Sequence, residues 1–69
     1  MKFIALIEII PRNINGKYFE DRKKITVNTN YITHIFPFDD NRSTIYVEGD
    51  GEGRIVDREY YDLVGQLNR

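Results

Sequence analysis

Cysteine and tryptophan are absent from this 69-residue chain, which also has a single His and only two Pro. Without cysteine there is no disulfide staple, no zinc-thiolate centre and no thiol nucleophile. One imidazole, His34, falls short of the two or three converging ligands that a histidine metal site needs, so it reads as a surface or hydrogen-bonded strand residue. An excess of charge of one sign is lacking too. Ten Lys and Arg against 11 Asp and Glu leave a net charge of -1, so any nucleic-acid contact has to come from a local patch. Apolar runs stay far below the ~20 residues of a membrane-spanning helix. The run from Phe3 to Ile7 is interrupted by Glu8 and stopped at Pro11, with no small-residue cleavage site after it. The expectation is a strand rather than a leader, no membrane insertion and a cytoplasmic chain.

What remains fits one small β-rich domain over residues 1–69. A domain of this size buries only about 60% of the surface its unfolded chain exposes and gains from self-association. Residues 2–10 predict a first strand with apolar side chains on both faces. Asn15-Gly16 is the dipeptide that accepts the positive φ angles of a tight hairpin, so the chain reverses there. Tyr18 and Phe19 open the return, and the five charges Glu20-Asp21-Arg22-Lys23-Lys24 read as an exposed loop or edge. Alternation then predicts strands at 25–28 and 43–48, with a further strand over 31–38 that Pro37 confines to an edge or bulge. The Gly49–Gly53 turn leads into a short strand, Arg54-Ile55-Val56.

From Asp57 the period changes to about 3.6, and Tyr60, Leu63, Val64 and Leu67 form one apolar stripe. A C-terminal helix of about three turns is expected, with Asp57 as its N-cap. The fold class is therefore α+β: a small antiparallel sheet or partly closed barrel of four to five strands with one C-terminal helix.

Motifs with chemistry are few. Gly49-Asp50-Gly51-Glu52-Gly53 carries two carboxylates and leads into a strand, unlike a phosphate loop, which uses backbone N–H groups before a helix. Asp39, Asp40, Asp50 and Glu52 match no calcium-loop spacing. Ser43 lacks the strand-to-helix context of an activated nucleophile. No cofactor and no enzymatic activity are expected. Arg12, Lys17, Arg22, Lys23 and Lys24 fall in one connection beside Tyr18, Phe19 and Tyr31, the combination that small β proteins use for single-stranded nucleic acid. The other reading is self-association. The first strand offers Phe3, Leu6, Ile7 and Ile9, and one helix covers only one face of a sheet.

The order Asn15-Gly16-Lys17, then Val27-Asn28 with Ile32 and Ile35, then Ser43-Thr44-Ile45-Tyr46-Val47 and Ile55-Val56 before a helix with Leu63-Val64 resembles the small flagellar and swarming-motility proteins of the FlbD type. Glu59 stands where that family tends to place a serine helix cap. The resemblance implies a small non-catalytic protein that works through contacts with other proteins; with the apolar first strand beside it, the expectation is a homo-oligomeric adaptor module in a bacterial or phage assembly. Strands followed by Val56-Asp57-Arg58-Glu59 and a helix are also similar to the carbon-storage regulator RNA-binding dimers, whose N-terminal signature is missing here. Residues 24–67 are loosely similar to the start of a LytTR DNA-binding domain, without its basic base-reading strands.

Overall fold

The computed structural model describes residues 2–68. The chain runs β1 (Phe3–Ile14), β2 (Lys17–Asn28), a 3-10 turn (Thr29–Tyr31), β3 (Ile32–Pro37), β4 (Ser43–Val47), β5 (Arg54–Val56) and α1 (Tyr60–Leu67). The strands form one antiparallel five-stranded sheet in the order β2-β1-β5-β4-β3, which is not closed. This is the α+β class with one C-terminal helix that the hydrophobic periodicity predicts.

The two edges of the sheet, β2 and β3, are neighbours in sequence, joined only by Thr29–Tyr31. So short a link forces the sheet to curl until its edges meet at that end. The concave side holds the core: Ile4 and Leu6 of β1, Ile45 of β4, Val56 of β5 and Leu63 of α1 are buried together, with Ile25 and Val27 of one edge and Ile35 and Val47 of the other packed against them. Every one of these strand residues follows the period of two that puts alternate side chains on one face.

Three local outcomes differ from the sequence expectations. The first strand does not stop before Pro11 but runs to Ile14. Asn15 and Gly16 adopt φ of 52° and 77°, the two-residue turn that makes Ile14 and Lys17 a hydrogen-bonded pair. Counting back, Pro11 and Glu20 form a non-hydrogen-bonded pair, so the N–H that proline lacks is one the ladder to β2 does not use. Secondly, the charged run 20–24 is the middle of a 12-residue strand and not a loop. It forms a strand because it lies at the sheet edge, where both its faces are wet.

The third difference is a correction at the helix. Its N-cap is Glu59, not Asp57, and α1 spans eight residues, fewer than three turns. The Glu59 carboxylate accepts from the N–H groups of Tyr61 at 2.8 Å and Asp62 at 2.9 Å. Asp57 is still held by the sheet: its N–H donates to the Ile7 carbonyl at 2.8 Å, and its carboxylate pairs with Arg22. A residue tied to two strands cannot take the geometry of a cap. Of the expected stripe, Leu63 is fully buried, while Tyr60, Val64 and Leu67 are half-buried.

Candidate functional site

The feature that sets this domain apart is an arm. β5 pairs with β1 at Glu8 and Ile9, so beyond Ile10 the β1–β2 hairpin continues, among the described residues, with no third strand beside it. The molecule measures 42 × 26 × 18 Å, elongated for its size. Residues 11–24 are all exposed. Cross-strand register assigns the arm two faces. Ile14, Arg12 and Ile10 lie with Lys17, Phe19 and Asp21 on the continuation of the concave side, while Asn13 and Pro11 lie with Tyr18 and Glu20 on the other. Tyr18 is 64% exposed, and Ile14 and Phe19 are about half exposed.

Ion pairs brace the base and middle of the arm. Arg12 pairs with Asp21 across the ladder, and Arg22 with Asp57. Arg42, in the β3–β4 connection, donates to Glu20 at 2.8 Å and to Asp39 at 2.6 Å, with its guanidinium 5.3 Å from the centre of the Phe38 ring. Tyr18 donates its hydroxyl to Glu20 at 2.8 Å. The Tyr18 hydrogen bond, then that from Arg42, holds the Glu20 carboxyl below its ordinary range. Arg42 does the same for Asp39, and the Glu20 hydrogen bond raises the Tyr18 phenol.

This arrangement divides the basic residues singled out from the sequence. Arg12 and Arg22 are neutralised by carboxylates of their own chain. Lys17, Lys23 and Lys24 make no ion pair among the described residues, but they do not converge: Lys17 and Lys23 lie on one face of β2 and Lys24 on the other. Tyr31 is exposed in the turn at the opposite end of β2 from Tyr18 and Phe19. The candidate self-association residues are divided as well. Leu6 and Ile9 are 4% and 3% exposed, covered by their own chain; Ile7 is half-buried and Phe3 is exposed.

Two features had no sequence motif. His34, Phe36 and Tyr46 cluster on the convex side of β3 and β4: His34 stacks on Phe36 with ring centres 6.0 Å apart, and Tyr46 meets both edge-on. The positions i, i+2 in one strand and a facing residue in the next are the available signal, and they become legible only once the register is known. The other is Glu8, a buried carboxylate held by Arg54 at 3.0 Å; Arg54 also holds Asp50 at 2.8 Å. Glu8 first and Asp50 second raise the Arg54 guanidinium further above its ordinary range. Asp39 and Asp50 are thus engaged by arginines, and among the described residues no three His, Asp or Glu side chains converge as metal ligands. No helix among the described residues is long and apolar enough to cross a membrane.

Compared with protein-family models, with curated proteins and with solved structures, the chain matches none of them.

Proposed function

We propose that this chain is a non-catalytic protein–protein interaction module that self-associates and serves as an adaptor in a larger assembly. The observation that carries the reading is the arm. A regular β-ribbon that leaves Ile14, Tyr18 and Phe19 in water, and is fixed at its base by Arg42 and Arg22, has its contact residues presented in advance. Preordering lowers the entropy lost on association, and exposed aromatics on a rigid element are the residues that most often anchor interfaces. The likeness to FlbD-type proteins points to the same class. A cytoplasmic location is part of this reading.

A role in binding RNA or single-stranded DNA has less support. The arm offers Tyr18 and Phe19 as stacking faces, but Arg12 and Arg22 are already paired and the free lysines point to opposite sides. Sedimentation equilibrium at low micromolar concentration, paired with a heparin column at low salt, separates the two. Oligomers that flow through heparin support the interaction module. A monomer retained on heparin and released by salt overturns it in favour of nucleic acid.

A further inference from the structure

β2 is an open edge. A two-residue turn makes Lys17, Phe19, Asp21, Lys23 and Ile25 the residues whose backbone groups face β1. The N–H and C=O groups of Tyr18, Glu20, Arg22, Lys24 and Thr26 therefore point outward, and among the described residues no backbone hydrogen bond reaches them. The other edge is less accessible: β3 is half as long as β2, carries Pro37 and has a register shift between Ile32 and His34.

We propose that two copies of this chain join through antiparallel pairing of β2 with β2, centred on Arg22, to make one continuous sheet. The proposal rests on the self-association read above and names its surface. In a continuous sheet each face stays on its own side, so an even-numbered residue of one copy must face an even-numbered residue of the other. Centring on Arg22 puts Tyr18, Glu20, Arg22, Lys24 and Thr26 opposite Thr26, Lys24, Arg22, Glu20 and Tyr18 of the second copy. Each of these residues then both donates and accepts one backbone bond.

Charge selects that register. Glu20 faces Lys24 and Asp21 faces Lys23 in both directions along the two-fold axis, so that each carboxylate lies between the arginine of its own chain, Arg42 or Arg12, and the facing lysine, and directly opposed opposite charges stabilise a ladder. The one like pair is Arg22 with Arg22, and each Arg22 is already compensated by Asp57 of its own chain. Moving the centre to Asp21 sets Asp21 against Asp21 and Phe19 against Lys23. Moving it to Lys23 sets Lys23 against Lys23 and Arg22 against Lys24. Arg22 is the centre at which the run Glu20-Asp21-Arg22-Lys23-Lys24 complements itself.

Apolar packing agrees with the charge. Phe19, about half exposed in the single chain, comes opposite Ile25 of the second copy on the concave side. Beside Ile25 lies a depression lined by Val27, Val47 and Arg54. The aromatic ring of one copy thus extends the core of the other, and the arm acquires the covering it lacks alone.

Two complementary variants test the arrangement. Lys24→Glu makes both facing positions acidic, and Glu20→Lys makes both basic. Each alone should weaken the dimer at least ten-fold in sedimentation equilibrium, and an equimolar mixture should restore a heterodimer close to wild-type strength. The chain has no native cysteine, which gives a clean second readout. Arg22→Cys should oxidise to a covalent dimer, because opposed Cα atoms at a hydrogen-bonded pair lie about 5.5 Å apart, within disulfide reach. Thr26→Cys should not, since its copies would be roughly 26 Å apart at ~3.3 Å per residue. A wild-type oligomer whose Arg22→Cys form does not cross-link, or whose strength survives Lys24→Glu, overturns this edge pairing and leaves self-association standing. A wild-type monomer overturns both.

Discussion

Gly53 lies beneath the ring of Tyr46: a Cβ placed on it would come within 2.8 Å of Tyr46 Cζ and 2.9 Å of Thr44 Cγ2. A side chain at position 53 must therefore displace the Tyr46 ring, the same ring that meets His34 and Phe36. Gly53→Ala should cost about 1–3 kcal/mol, as overpacking does. Tyr46→Ala in the same chain should recover part of that loss. Additive costs in a thermal or denaturant double-mutant cycle would show that the ring is not what crowds the site.

Leu63 is the helix anchor. It is fully buried between α1 and the sheet, whereas Val64 and Leu67 are half-buried. Leu63→Ala should cost about 2–5 kcal/mol and Val64→Ala clearly less, by urea unfolding. Glu59→Ala removes the acceptor for the Tyr61 and Asp62 N–H groups and should cost about 1 kcal/mol. Asp57→Ala should leave the helix cap intact and act only through its pair with Arg22.

Glu8 is nearly buried, and Arg54 is the charge that compensates it. Arg54→Ala leaves a desolvated carboxylate without that partner and should cost about 1–3 kcal/mol. Replacing both residues with leucine should cost less than Arg54→Ala alone, since no buried charge is then left uncompensated. Chemical denaturation of the two variants gives the comparison.

The Arg42 clamp predicts an acid-side release of the arm. Glu20 and Asp39 both titrate below their ordinary values of 4.5 and 3.8 in the folded chain. A carboxylate with a depressed folded value contributes stability that is complete above the unfolded value and is lost as pH falls through the folded one. Amide exchange protection of Lys17, Phe19 and Asp21, whose N–H groups face β1, should therefore be level above about pH 5 and decline on acidification below the ordinary carboxylate range. Arg42→Ala should weaken that decline, leaving the part that the Tyr18 hydrogen bond to Glu20 sustains. An unchanged profile in the variant would assign the acid response to other carboxylates.

Much of the fold was legible because it depends on period. Ile25 with Val27, Ile45 with Val47 and the Tyr60-Leu63-Val64-Leu67 stripe announce their faces locally, and Asn15-Gly16 announces the reversal, since backbone φ at a tight turn is a property of two residues. The helix is capped by Glu59 and not Asp57 because the Asp57 carboxylate is taken by Arg22 and its N–H by the Ile7 carbonyl, partners 35 and 50 residues earlier in the chain. No local pattern contains those partners.

What the amino-acid order determined by itself is the kind and sequence of elements, the absence of cysteine chemistry, and the balanced charge of the run from Glu20 to Lys24. What only the tertiary structure decided is which strand lies where. Strand order puts β2 at an edge, and that turns a charged stretch indistinguishable from a solvated loop into an open ladder with outward backbone groups. It also sends Leu6 into the core, buries Ile9 on the opposite face and leaves Phe19 in water. Side-chain alternation has a period of two and names two faces, but which face is covered depends on the curl imposed by joining β2 to β3 through three residues.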